Sequence, residues 1–169
     1  VCSSDLTEGA FAKHHPAVPA PRNPWDGAYY AGASSSGSGV ATAAGLAFGS
    51  IGSDTGGSIR FPASANGVTG LKPTWGRVSR HGVFALSPSL DHIGPMTRSA
   101  ADAGAMLGAV AGLDPNDPTT LATPVPDYLA DLGKGIRGLR IGIDPTYNET
   151  GVDGQIVEAL RSARSILED

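Results

Sequence analysis

The order of apolar and polar positions divides the 169-residue chain into a loop-rich head, a centre of short elements and a more regular tail. Residues 7–30 carry four prolines among alanines and histidines, which excludes a regular helix or a central strand, so a long ordered loop is expected there. Residues 39–48, GVATAAGLAF, are small and helix-tolerant and predict a short, closely packed helix. Residues 48–52 read as a buried strand end and Asp54-Thr55-Gly56-Gly57 as a turn. A helix or further turn then starts near Ser58 and runs into FPASANG. Residues 68–79, VTGLKPTWGRVS, alternate well enough for extended structure with a turn at Lys72-Pro73.

LDHIGPMTRS leads to a good helix. Ser99 is its N-cap, Asp102 follows three residues later in a variant of the capping box, and Ala103, Met106, Leu107 and Val110 share one face. After a Pro- and Asp-rich linker, LRIGID at 139–144 has a buried-strand pattern. A last helix at 153–167 is expected to bury Ile156, Leu160, Ala163 and Leu167 on one side. Strands alternating with helices predict an α/β fold.

Composition narrows this picture. The 24 glycines are about twice the usual share of roughly 7%, and with 13 prolines they imply many tight turns. Apolar residues occur in every segment, so the chain is not a disordered one. Its length fits one domain that buries about two-thirds of its unfolded surface. The net charge is −4 and the 12 Lys and Arg are scattered, which argues against a nucleic-acid groove or a polybasic membrane patch. No apolar run approaches the roughly 20 residues of a membrane span. Cys2 is the only cysteine, so a disulfide framework and a Cys-based zinc cluster are excluded, and a reducing, cytoplasmic setting is the default. The opening VCSSDL has neither the charged nor the apolar region of a signal peptide. It reads like translated sequencing-adapter DNA. Residues 1–6 are therefore expected to be an artefact and the gene to continue upstream.

Several familiar chemistries are absent. There is no phosphate loop, no complete dinucleotide fingerprint, no GxSxG elbow and no HExxH, and the four histidines lack metal-ligand spacing. A Ser-His-Asp triad using His81 or His92 stays open, since such partners meet only in space. What remains is Asp54-Thr55-Gly56-Gly57-Ser58. Two glycines before a serine leave consecutive backbone N–H groups unobstructed, a geometry that suits an oxyanion beside a hydroxyl. The same pattern also occurs as a plain turn, and Ser34, Ser35 and Ser36 by themselves read equally as a polar loop.

Together, GASSSGSG at 32–39 and GSDTGGSIRFPASANGVTGLKPT resemble the amidase signature family, and the resemblance continues through WGRVSRHGVFALSPSLDHIGPMTRSAADAGAML. It runs unbroken over roughly residues 7–120 and more loosely to residue 169. The resemblance implies an α/β arrangement with a mixed sheet flanked by helices, of which residues 7–169 hold the central part. It implies a Ser-Ser-Lys triad, with the nucleophile at Ser58 and a second serine, preceded by a cis peptide bond, at Ser34. The amides of Thr55, Gly56, Gly57 and Ser58 correspond to the family's oxyanion hole, and Ser35 hydrogen-bonds in the same network. Ala33 and Ser36 stand where the family often has glycine. Asp54 and Arg60, of opposite charge on either side of the turn, read as a bracing ion pair. Trp25 and Trp75 read as packing anchors.

A neutral lysine would serve as base, which requires its pKa to be depressed from about 10.4 toward neutrality. The resemblance places that lysine further upstream of the paired serines than this chain reaches. Lys72 belongs to the structural GLKPT segment and Lys13 lies too close to the serine loop. The implied activity is hydrolysis of a small-molecule carboxylic amide through an acyl-Ser58 intermediate, with no metal or organic cofactor. No direct nucleic-acid or membrane partner is implied, and a homodimer is compatible with it. One alternative is the A subunit of a tRNA-dependent amidotransferase, which passes ammonia from glutamine to partner subunits. Another is a glycine-rich anion-binding module without catalysis.

Overall fold

The computed structural model describes residues 20–168. The opening hexapeptide, Lys13 and the first part of the Pro-rich stretch lie outside the described residues. The chain forms two units, one ending at Ala130 and one beginning at Asp131. The first contains α1 (Ser36–Ala43), β1 (Gly49–Asp54), α2 (Arg60–Asn66), β2 (Thr69–Gly70), β3 (His92–Thr97) and α3 (Ala100–Val110).

The described strands form one sheet in the order β1-β3-β2, antiparallel throughout. Its centre, β3, is a strand that the sequence pattern does not announce, because Pro95 cannot donate to a ladder. The fold accommodates it at the end of the β2 pairing. Gly70 faces Met96, and the next position is served by Leu71 N–H donating to the Pro95 carbonyl. The pleat then sorts the side chains. Met96 joins Ile59 and Ala63 on one face, while Ile93 joins Val78 and Leu107 on the other. Helices α1 and α2 therefore cover one side and α3 the other, the helix-flanked sheet of an α/β fold.

The first helix covers 36–43, earlier than the expected 39–48. Ser and Gly are weak helix formers, but Ser38 is fixed from outside the helix. Its hydroxyl donates to the Ile51 carbonyl at 2.9 Å, and Ser50 Oγ donates to the Ser38 carbonyl at 3.0 Å. Gly45, at φ +71°, then turns the chain out of the helix and leaves Leu46 and Phe48 exposed.

The strand read at 48–52 runs from Gly49 to Asp54. Of the extended stretch at 68–79, only Thr69 and Gly70 join a strand, and the turn falls at 74–77. The helix after Ser99 is present, and Ser99 Oγ accepts from Asp102 N–H at 3.1 Å. Its buried face comprises Ala103, Gly104 and Leu107; Val110 is exposed. Gly104 takes that place because Tyr128 and Leu129 lie against it.

The second unit contains α4 (Pro145–Glu149) and α5 (Gly154–Glu168). Asp144 caps α4 by accepting from Tyr147 N–H, with Pro145 at the first helical position. LRIGID forms no strand. A strand exists only through its ladder, and no described residue pairs with 139–144. The last helix forms as read, with Asp153 Oδ1 accepting from Gln155 N–H, but its apolar side is exposed. Ile141, Ile143, Val157, Leu160 and Leu167 line an open groove of about 850 Å³ within this unit. No described helix is long and apolar enough to cross a membrane.

Candidate active site

The site begins where β1 ends. Of its alternate residues, Ser50 bonds Thr42 and Ser38 of α1, Gly52 lies against Ser35 of the serine loop, and Asp54 faces the turn that follows. A Cβ at Gly52 would lie 2.9 Å from Ser35 Oγ, so glycine is what lets the loop sit against the strand. Asp54 is fully buried. It accepts from Gly57 N–H at 2.8 Å, Ile59 N–H at 3.2 Å and Arg60 N–H at 3.4 Å, and from the Arg60 guanidinium. Burial alone would raise its carboxyl. The bonds from Arg60 and from the Ile59, Gly57 and Arg60 amides outweigh that and hold it below the ordinary value. A buried carboxylate thus gathers the turn around itself.

Gly57 adopts φ +133°, a conformation open to glycine and strained for other residues. No atom lies within 4 Å of the position a Cβ would take at Gly56 or Gly57. The N–H of Gly57 is spent on Asp54, whereas those of Thr55, Gly56 and Ser58 make no hydrogen bond among the described residues. Thr55 Oγ1 donates to Asp91.

The serine loop approaches from the other side. The Ala33–Ser34 peptide bond is cis. Ser34 Oγ is buried and has no hydrogen-bond partner among the described residues. Its neighbour Ser35 is fully buried and saturated. Its hydroxyl accepts from Ser53 N–H at 3.1 Å and donates to the Ser53 carbonyl at 3.3 Å. Ser35 N–H also donates to the Ser58 carbonyl at 3.3 Å. The two motifs, separate along the chain, are joined by that bond.

Residues that sequence reasoning passed over hold the approach to the loop. Asn66 Nδ2 donates to the Ala31 and Pro62 carbonyls, and Asn23 Nδ2 to those of Tyr30 and Ala65. Gly32, at φ +82°, passes so near Pro62 that a Cβ would meet its Cα at 2.4 Å. Asp91 was likewise unmarked; its partner Thr55 is 36 residues distant, a separation that no local pattern carries.

Of the histidines, His81 and His92 are among the described residues. His92 Nδ1 lies 2.6 Å from the Leu90 carbonyl and 3.2 Å from that of Asp54, and neither His92 nor His81 bonds Ser58. Lys72 Nζ donates to the Pro73 carbonyl, and Lys134 pairs with Asp131. Trp25 donates through Nε1 to the Asn66 carbonyl at the end of α2, and the Arg80 guanidinium sits 4.9 Å over the Trp75 ring.

The family model described as Amidase matches residues 2–169. The chain belongs to the amidase family. AmiD of Mycobacterium tuberculosis, named an amidase by inference, is 64% identical over 139 residues, 82% of this chain and 29% of AmiD. Among solved members, the glutamyl-tRNA(Gln) amidotransferase A subunit of Thermotoga maritima matches with a TM-score of 0.84 at 41% identity, covering 87% of this chain and 32% of that one. The peptide amidase of Stenotrophomonas maltophilia gives 0.77 at 46% identity, covering 87% and 31%. The chain thus spans under a third of the length of these relatives, and its fold is that of the amidase signature enzymes.

Proposed function

We propose that the complete protein hydrolyses a carboxylic amide with Ser58 as nucleophile and Ser34 as proton relay. The observation that carries this is the buried, unpartnered hydroxyl of Ser34, next to a residue bonded to the Ser58 main chain. A buried hydroxyl without a partner is costly to keep, and a proton relay needs one that is free to accept and to donate.

In this reading Ser58 Oγ attacks the carbonyl carbon and passes its proton to Ser34, which hands its own to a base. The electron pair moves onto the carbonyl oxygen, which is held by the amides of Thr55, Gly56 and Ser58. Gly57 keeps the turn clear of a side chain while its N–H serves Asp54. Collapse of the intermediate expels the amine, which recovers a proton through the relay and leaves an acyl-Ser58 ester. Water then repeats the steps and frees the acid. The base is a lysine that the described residues do not supply, since Lys72 and Lys134 are engaged elsewhere. The reading is that the gene continues beyond residues 7–169, supported by the share of each relative that the chain covers. Residues 7–169 expressed alone are expected to hydrolyse no amide. A cytoplasmic setting remains part of this proposal, resting on the cysteine usage.

A second reading, the A subunit of a glutamine-dependent amidotransferase that works with partner subunits, is favoured by the Thermotoga likeness. The test is to treat the full-length gene product with a fluorophosphonate and locate the adduct by mass spectrometry, then to compare simple amides with glutamine. Labelling at Ser58 that disappears in Ser58→Ala supports the nucleophile. Labelling that survives overturns it. Glutaminase activity that appears only with partner subunits selects the second reading.

A further inference from the structure

Asp91 is 6% exposed and takes no part in the reaction above. Its carboxylate accepts three hydrogen bonds. Thr55 Oγ1 donates to Oδ1 at 2.5 Å, and the Leu86 and Ser87 N–H groups donate to Oδ2 at 2.9 Å each. Its own N–H donates to the Ser87 carbonyl at 2.9 Å. Both oxygens and the main chain of Asp91 are therefore fixed, directly before the central strand β3.

The turn from Asp54 to Ser58 needs such a fixed point. Asp54 holds its far end through Gly57, Ile59 and Arg60, but gives nothing to Thr55 or Gly56. The β1 ladder ends at Asp54, so it does not hold them either. Gly56 has no side chain, and nothing lies within 4 Å of its Cβ position. His92 Nδ1, 3.2 Å from the Asp54 carbonyl, holds the peptide that enters this half of the turn, and the Thr55 hydroxyl is the side-chain restraint from within the half that carries two of the three proposed oxyanion donors. A hydrogen bond to an ionised carboxylate is about twice as strong as a neutral one. Burial would raise the Asp91 carboxyl, but the bonds from Thr55, Ser87 and Leu86, with the charge of Arg80, outweigh it and keep the group ionised at neutral pH.

We propose that Asp91 is a positioning residue that, through the Thr55 hydroxyl, fixes the Thr55–Gly56 end of the oxyanion-binding turn and ties it to the loop at 86–87. The proposal rests on the reading of Ser58 as nucleophile. Donor alignment counts most when charge has developed on the carbonyl oxygen, so its loss falls on kcat and spares KM.

The experiment uses the full-length protein with Asp91→Asn, Thr55→Val and Thr55→Ser. Removing an oxyanion donor outright typically costs about 10²–10³-fold, so misaligning two donors is expected to lower kcat by about 10–100-fold. Thr55→Val should show this loss with KM within about threefold, and fluorophosphonate labelling of Ser58 should slow in parallel. Thr55→Ser, which retains the hydroxyl, should lose far less. Asp91→Asn also disturbs the bonds from Leu86 and Ser87, so combined with Thr55→Val it should lower kcat by less than the product of the two single losses, since the Thr55–Asp91 bond is common to both. Thr55→Val leaves the bonds from Leu86 and Ser87 in place, so it remains informative if Asp91→Asn folds poorly. Unchanged kcat in Thr55→Val, equal losses in Thr55→Val and Thr55→Ser, or a rise confined to KM would overturn the proposal. Those results would leave Ser58 labelling in the parent intact, whereas labelling that survives in Ser58→Ala would defeat the underlying reading instead.

Discussion

Arg60 grips Asp54 with both ends of its guanidinium fork: Nε donates to Oδ2 and Nη2 to Oδ1, each at 3.0 Å. The two partners are unequal, because the Asp54 side chain is wholly buried and that of Arg60 is 55% exposed. Removing the buried member strands three backbone N–H groups, and removing the exposed one leaves those three bonds in place. Asp54→Ala should therefore cost about 3 kcal/mol and Arg60→Ala about 1 kcal/mol. Urea midpoints of the purified protein measure both, and equal losses would contradict the asymmetry.

Adjacent serines should respond in opposite ways. Ser34 Oγ has no partner among the described residues, so Ser34→Ala should leave the melting temperature unchanged or slightly raised. As the proposed relay, it should lose about 10²–10⁴-fold in kcat with little change in KM. Ser35 Oγ bonds both backbone groups of Ser53, so Ser35→Ala should cost about 1–2 kcal/mol of stability. Ser36→Ala should affect turnover far less than Ser34→Ala. Steady-state kinetics paired with thermal melts separate these cases.

Two glycines offer a similar contrast. A Cβ at Gly94 would meet the Leu71 carbonyl oxygen at 2.2 Å and Pro73 Cδ at 2.8 Å, so a side chain there pushes on backbone inside the sheet. Gly94→Ala should cost about 1–3 kcal/mol, as overpacking does. Gly56→Ala meets nothing within 4 Å. That variant should fold with near-parental stability yet label slowly with fluorophosphonate, because its methyl group enters the space proposed for the substrate. Normal labelling in Gly56→Ala would move the proposed oxyanion site away from this turn.

Acid should weaken the first unit in a defined window. The Thr119 hydroxyl, then the Arg80 N–H, hold the Asp117 carboxyl down to about 2 from an ordinary 3.8. A carboxylate lowered on folding stabilises above its unfolded value and loses that contribution as pH falls through the folded one. Stability should therefore decline between about pH 4 and pH 2, with Asp54 and Asp91, also held low, adding to the decline. Asp117→Asn should flatten that slope, and urea midpoints at about pH 2, 3 and 6 would check it. A parent curve flat across the window would refute the assignment.

The sequence by itself determined the local elements whose causes are local. Ser99 and Asp102 announced α3, an amphipathic repeat announced α5, and the Gly-Gly-Ser turn and serine loop marked the candidate site through their resemblance to a family. Each signal lies within a few residues, the range over which caps, turns and helical periodicity act. The central strand β3 was hidden because Pro95 contradicts strand propensity locally, and only its neighbours in the sheet show where the missing donor does no harm. LRIGID failed in the reverse direction: its pattern suits a strand, but a strand needs a partner, and the described residues provide none. The tertiary structure alone decided which serine hydroxyl stays unpartnered, which amide serves Asp54, and that Asp91 reaches Thr55. Those outcomes depend on groups 3 to 36 residues apart meeting at hydrogen-bond distance, and such meetings are fixed by packing and not by spacing along the chain.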